Sequence, residues 1–241
     1  FSYNFFFSEN RPLNEIISEQ LDLPVRLEND TRAMAFGEYH EGVVDEEQNV
    51  IYVNYGWGVA IGIITDGNLY YGKSGYSGEF GHSNIFDNGI LCQCGKLGCL
   101  ETEISGWSLV KQFKEAIKEG KQSKVVLDEN SKSLQHHAII MGALQQEDAL
   151  CVELVSKQSE KMGRYLSMIL NIFNPELLVV GGDFSLLGGY VLLPIQSALK
   201  KYSLGLVNRD VKLKKSSLGA RAGVIGACCV VKEKMLTALV N

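Results

Sequence analysis

Apolar residues recur at helical spacing from Leu13 to Asp22, which predicts an amphipathic helix there. Pro24 to Leu27 reads as a short strand, and a second helix is expected over Asp30 to Glu41, opened by the Asn29-Asp30 pair. Beyond a polar loop, Asp45 to Asn49, the period drops to two. Ile51 and Val53, then Val59 to Ile64, then Leu69 to Tyr71 form a meander of antiparallel strands, with Asp66-Gly67 at the tip of the last pair. Residues 78 to 100 hold five glycines and three cysteines and no sustained period, so this loop is held by something other than regular structure. Helical patterns follow over Trp107 to Glu119, Leu134 to Gln145 and Cys151 to Phe173, the last stopped by Asn174-Pro175. Leu177 to Val180 is a wholly apolar strand leaving through Gly181-Gly182, the kind of strand exit at which ligands bind in α/β folds. A helix from Leu187 to Tyr202, a strand from Val211 to Lys214 and a helix from Ala220 to Ala238 complete the chain, without internal repeat.

Composition narrows the class. The 241 residues are 46% hydrophobic and 21% charged, enough for a sizeable core in one or two lobes. A net charge of -5 and the lack of any basic cluster argue against direct nucleic-acid binding. No apolar run approaches the roughly 18 residues of a membrane span, and Phe1 to Phe7 lacks the basic start of a signal peptide, so the chain reads as cytoplasmic. It begins on Phe within a strand-like stretch, which reads as a piece of something longer. In the cytoplasm six cysteines do not imply disulfides. Cys151, Cys228 and Cys229 lie in apolar helical stretches and are expected in the core.

The other three cysteines lie close together. His82-x9-Cys92-x-Cys94-x4-Cys99 offers three thiolates and one imidazole, a soft tetrahedral set suited to a structural zinc with no position left for water. Glycines at 95 and 98 let the backbone turn so that Cys94 and Cys99 face one ion. A polar constellation surrounds this loop. Asn29-Asp30 stands at a strand-to-helix junction, where the alternatives are a ligand-facing carboxylate and plain helix capping. Glu79 lies three residues before His82, and Glu101 follows Cys99-Leu100 directly. Rigid carboxylates beside an imidazole suit a polyhydroxylated ligand; the alternative is a shell serving only the metal. His40, His136 and His137 lack such neighbours and read as surface or helix-face residues.

Cys92-Gln93-Cys94-Gly95-Lys96-Leu97-Gly98-Cys99-Leu100-Glu101, with Gly78-Glu79-Phe80-Gly81-His82, Glu28-Asn29-Asp30 and the Gly181-Gly182 exit, resembles the ROK family of repressors, open reading frames and kinases, within the actin-like sugar kinase and chaperone ATPase superfamily. The resemblance implies an α/β fold of actin-like, ribonuclease H-like type in two lobes. Residues 1–46 with 224–241 would be the remnant of an incomplete small N-terminal lobe, and 47–223 a large lobe carrying the zinc loop at 78–101. It further implies a sugar in the interlobe cleft, its hydroxyls held by Asn29, Asp30, Glu79, His82 and Glu101, with His82 serving sugar and zinc alike. In the kinases the aspartate matching Asp30 is the general base on the sugar hydroxyl that attacks the γ-phosphate of ATP, with magnesium as the metal.

Two departures from the kinase pattern concern phosphate. The opening phosphate hairpin of the kinases would precede this chain. The second, Gly-Thr-Gly, stands here as Gly56-Trp57-Gly58, an indole in place of a hydroxyl donor. Glu28 to Ala35 resembles the repressor branch, whose members sense sugars and carry an N-terminal winged helix-turn-helix absent from this chain. The resemblance therefore implies the effector part of a sugar-responsive regulator, touching DNA only through a missing segment and forming a homodimer or tetramer, with an ATP-dependent sugar kinase as the alternative.

Overall fold

The computed structural model describes residues 11–240, so the strand-like stretch at 1–7 lies outside the described residues. A mixed five-stranded sheet forms the centre, built from β1 (Val50–Tyr55), β2 (Val59–Thr65), β3 (Asn68–Leu69), β4 (Leu177–Gly181) and β5 (Lys212–Lys215) in the order β3-β2-β1-β4-β5. The meander β1-β2-β3 is antiparallel as expected, and β4 and β5 extend it in parallel with β1. β4 is buried along its whole length, which follows from its uninterrupted apolar run: a central parallel strand is covered on both faces.

Strand alternation divides the core in two. Ile51, Val53, Ile61, Ile63, Leu178 and Val180 face α3 (Gly106–Lys118), α4 (Ser133–Gln145), α5 (Ala149–Phe173) and α6 (Gly189–Tyr202). Val50, Tyr52, Ile64, Leu177 and Val179 face Ala35 of α2 (Asp30–Glu41). Each fully buried Leu, Ile or Val contributes about 1.5–3 kcal/mol. The helix starts are capped as their sequences dictate: Asn29 accepts from the Arg32 amide, Ser105 from Ser108 and Asp148 from Cys151. Asn174, in the left-handed conformation at φ 43°, closes α5.

On the second face α2 packs against α8 (Ala222–Val240) with almost nothing between them. A Cβ at Gly226 would lie 1.6 Å from the Ala33 carbonyl oxygen, and one at Gly37 2.5 Å from that of Ala222, so only glycine permits this approach. The two pieces expected to form the small lobe thus meet each other, with α2 lying directly on the sheet. Buried Glu38 fastens α2 to the loop before α8, accepting from the Leu218 amide at 2.9 Å and from the Ser216 hydroxyl.

Several expectations need correction. Pro24 to Leu27 forms no strand; the Val25 amide goes instead to the Ser18 hydroxyl of α1 (Leu13–Leu21). α7 (Gly205–Asp210) is a helix that its six residues were too short to announce. His136 and His137 are buried, at 1% and 3% exposure, because α4 turns His137, Ile140 and Leu144 inward and leaves the apolar Leu134 and Ile139 outside. Cys151 is buried as expected, but Cys228 is exposed and Cys229 half-buried, since α8 presents Ala222, Gly226 and Val230 inward. Among the described residues no helix is long and apolar enough to cross a membrane.

Glu47, buried at the foot of the sheet, supplies a pH test. Burial raises its pKa, but the Asp45 amide at 2.9 Å and the Lys212 ammonium at 3.0 Å outweigh burial and hold it at about 2, against an ordinary 4.5. A carboxylate whose folded pKa is depressed adds stability above its unfolded value, and that stability is lost as pH falls from 4.5 toward 2. Urea midpoints measured between pH 6 and 2 should fall less steeply in Glu47→Gln than in the wild type; parallel curves would remove Glu47 from the acid response.

Candidate functional site

The Gly78–His82 segment lies along β2, where the Ile61 amide donates to the Gly78 carbonyl at 2.9 Å. A Cβ at Gly78 would meet the Ile61 carbonyl oxygen at 2.0 Å, and one at Gly81 that of Val59 at 2.1 Å, which explains both glycines. His82 ends a single 3-10 turn, Phe80–His82. The chain returns beside it through Leu100, whose amide donates to the Ser83 carbonyl at 2.8 Å. A tight turn, closed by the Gly95 amide on the Cys92 carbonyl, then presents the thiols.

These constraints bring His82, Cys92, Cys94 and Cys99 together, with one donor atom from each lying within 4.8 Å of all the others. Cys94 Sγ is 3.5 Å from Cys99 Sγ, and Cys92 Sγ is 3.5 Å from His82 Nδ1. A tetrahedral zinc at ordinary bond lengths separates its ligands by about 3.5–3.8 Å, so the side chains can close on such an ion with little movement. Burial pushes the Cys92 thiol up, and burial with the neighbouring Cys94 thiol pushes Cys99 up to about 12. Cys94 moves the other way, lowered against burial by the Lys96 amide. Loading a metal would therefore release protons.

The imidazole faces two ways. With Nδ1 turned to Cys92, Nε2 points toward Glu79 Oε2 at 3.9 Å, and both side chains are partly exposed. Glu101 is buried at 6% exposure and already engaged: Oε2 accepts from the Val59 amide at 3.0 Å and Oε1 from Trp107 Nε1 at 3.3 Å. Glu101 thus ties the cysteine loop to the start of β2 and of α3; Oε1 also faces the Cys92 thiol at 4.0 Å, and Oε2 keeps a lone pair for another donor.

At the start of α2, Asn29 is the cap and Asp30 is not. Asn29 Oδ1 accepts from the Arg32 amide at 3.0 Å, which leaves its Nδ2 for other partners. Asp30 is exposed and, among the described residues, bonds within its own turn, accepting from the Thr31 amide at 2.7 Å and the Thr31 hydroxyl at 3.4 Å. The Thr31 hydroxyl in turn accepts from Asn54 Nδ2 at 3.0 Å, placing this helix start beside the end of β1.

Two glycine turns adjoin the same sheet end. Gly56 to Gly58 closes β1 onto β2, and the Gly56 carbonyl accepts from the Gly106 amide of α3 at 2.8 Å. Gly182, at φ 75°, passes so close that a Cβ there would lie 2.4 Å from the Tyr55 carbonyl oxygen. A side chain at Gly56 would come within 3.9 Å of the Asp183 carboxylate. Trp57 packs edge-on to His137, with ring centres 5.8 Å apart, and His137 continues to Phe184 at 5.6 Å. Residue patterns alone did not single out Asp183, Asn54 or His137. The glycine exit marked the neighbourhood of Asp183, whereas His137 has no signal short of the helix phase.

A sheet with an antiparallel hairpin and parallel extension, covered by helices on both faces, with a Cys3His cluster beside the hairpin and two glycine turns at one end, defines an actin-like protein of the sugar kinase and repressor type. The chain belongs to the ROK family, which it matches over residues 1–234. A glucokinase of Halalkalibacterium halodurans is 33% identical over 224 residues, covering 92% of this chain and 68% of its own. A xylose repressor of Caldicellulosiruptor bescii is 31% identical over 229 residues, covering 95% and 57%. Among solved structures, a ROK family transcriptional regulator described as a homolog of the E. coli MLC protein superposes with a TM-score of 0.79 at 30% identity, covering 90% of this chain and 54% of that one. The chain thus spans little more than half the length of the two regulators, and its relatives include both kinases and repressors.

Proposed function

We propose that this chain is the sugar-sensing part of a ROK-type transcriptional regulator. A monosaccharide or amino sugar binds among Asn29, Asp30, Glu79, His82 and Glu101, and His82, Cys92, Cys94 and Cys99 hold a structural zinc beside it. DNA is contacted through a segment outside these residues, in a homodimer or tetramer, and ligand binding shifts DNA-competent and incompetent populations by its difference in affinity for the two.

The observation that carries this reading is Trp57. The kinases of the family place a Thr between the two glycines of this turn. Here the position holds an indole packed on the core and edge-on to buried His137, so the hydroxyl donor to a phosphate is gone. Phosphoryl transfer depends on positioning and charge stabilisation, and loss of such a contact costs orders of magnitude in rate. The kinase alternative has one specific support besides the glucokinase relative: Asp30 is exposed and does not cap its helix, which suits a general base toward a sugar hydroxyl, and Gly181-Gly182 would border ATP and magnesium.

A coupled assay with ATP, magnesium and a panel of hexoses and N-acetylated amino sugars, run beside thermal shift with the sugars alone, separates the two. The expected result is sugar-dependent stabilisation without ADP release; turnover above about 1 per second would make the chain a kinase.

A further inference from the structure

The first turn of α2 carries a side chain that neither the metal nor the sugar reading uses. Arg32 is 8% exposed. Its Nε donates to Glu28 Oε1 at 2.7 Å, its Nη1 donates to the Gly75 carbonyl at 2.8 Å, and its Cζ sits 5.3 Å from the centre of the Tyr71 ring. Its backbone amide is the one that Asn29 caps, and Glu28 Oε1 also accepts from the Asn29 amide at 2.8 Å. A single guanidinium therefore joins the segment bearing Asn29 and Asp30 to the loop that ends at Glu79.

Within this loop the Ser77 amide donates to the Tyr71 carbonyl at 3.3 Å, and Tyr71 is also hydrogen-bonded to Glu28, the carboxylate that Arg32 holds. The loop's ends are fixed to the sheet, Tyr70 donating to the Ile63 carbonyl at 2.9 Å and Gly78 accepting from Ile61. Between them no residue from 71 to 77 is buried, and Lys73, Ser74 and Tyr76 are exposed. Gly72 and Gly75 have φ of 66° and 79°, and a Cβ on Gly75 would touch nothing. Loop closure without apolar anchoring gives low local stability, so the contacts of the paired Arg32 and Glu28 to Gly75 and Tyr71 set the position of this segment.

We propose that Arg32 is a positioning residue which latches loop 71–77 against the first turn of α2 and makes that loop the wall of the cleft next to Asn29 and Asp30. The ligand class is that of the sugar reading above, on which this rests. The chemistry requires arginine. Its planar fork serves a carboxylate, a carbonyl and an aromatic face together, whereas lysine offers one point charge and cannot hold all three.

The loop carries its own reporter, since trypsin cleaves after Lys73. Cleavage rate and sugar affinity are to be measured for the wild type, Arg32→Lys, Arg32→Ala and Tyr71→Leu. Glucose, xylose and N-acetylglucosamine serve as probes, and circular dichroism and metal content report on folding. Arg32→Lys is expected to speed cleavage after Lys73 about tenfold and to weaken the best wild-type sugar about tenfold, while the melting temperature without sugar moves by only a few degrees. Tyr71→Leu should fall between Arg32→Lys and the wild type, and it carries the test with Arg32→Lys if Arg32→Ala does not fold. Unchanged cleavage in Arg32→Lys, or faster cleavage with unchanged affinity, would overturn the inference. If no sugar binds the wild type, the sugar reading falls, and the cleavage rates alone decide the latch.

Discussion

Replacing Cys94 with serine should empty the metal site and lower the stability of the protein by at least about 3 kcal/mol. The loop it serves buries little apolar surface of its own. Leu91 and Leu97 are 66% and 53% exposed, and the backbone bonds that shape the loop are turns and two isolated bridges. In a structural site the free energy of metal binding is folding free energy, so losing one of four ligands removes most of it. The loss extends past the loop, because Glu101, immediately after Cys99-Leu100, anchors the Val59 amide and the Trp107 indole. Metal content by mass spectrometry and the urea midpoint are the two readings. One equivalent of zinc retained by Cys94→Ser would refute the ligand set, and metal loss without destabilisation would assign the site a role other than folding.

Asp30→Ala is expected to weaken sugar binding about a hundredfold while changing the stability of the unliganded protein by less than about 1 kcal/mol. Among the described residues Asp30 bonds to its neighbour Thr31, the cap belongs to Asn29, and a first-turn carboxylate gains only a small favourable term from the helix dipole. A hydrogen bond from a ligand hydroxyl to a charged acceptor is worth about 1.5–3 kcal/mol, and the loss of one at the upper end of that range gives the expected factor. Calorimetric titration with the best-binding sugar and thermal melting without it separate the effects. A large drop in melting temperature with unchanged affinity would return Asp30 to a purely structural role.

Elements with a clean period were legible in the sequence. The buried run of β4, the alternation through β1 and β2 and the stop at Asn174-Pro175 each impose a local geometry that tertiary contacts only confirm. The gathering of His82, Cys92, Cys94 and Cys99 was legible for a related reason: three thiols and an imidazole so close along one glycine-rich loop have little room to spread apart. What failed did so where the outcome depends on partners remote in sequence. Pro24 to Leu27 forms no strand, and His137 is buried because α4 happens to turn that face toward Trp57 and Phe184. Arg32 could be read only as one more helix residue until the fold brought Gly75 to it from 43 positions away. That Asn29 rather than Asp30 caps α2 rests on one hydrogen bond, to the Arg32 amide, a choice between adjacent acceptors that local sequence leaves open.

The contact between Gly37 and Gly226 bears on how a message would leave the cleft. Side chains between two helices act as a cushion, since rotamer changes absorb small displacements before the far helix feels them. Between α2 and α8 the cushion is missing, and backbone meets backbone from Ala33 to Gly37. A tilt imposed on α2 by a ligand at Asp30 therefore cannot be dissipated where the helices cross. With Asp30 holding the ligand as proposed, the two helices would tilt together, and motion begun at the start of α2 would pass into α8 at Gly226.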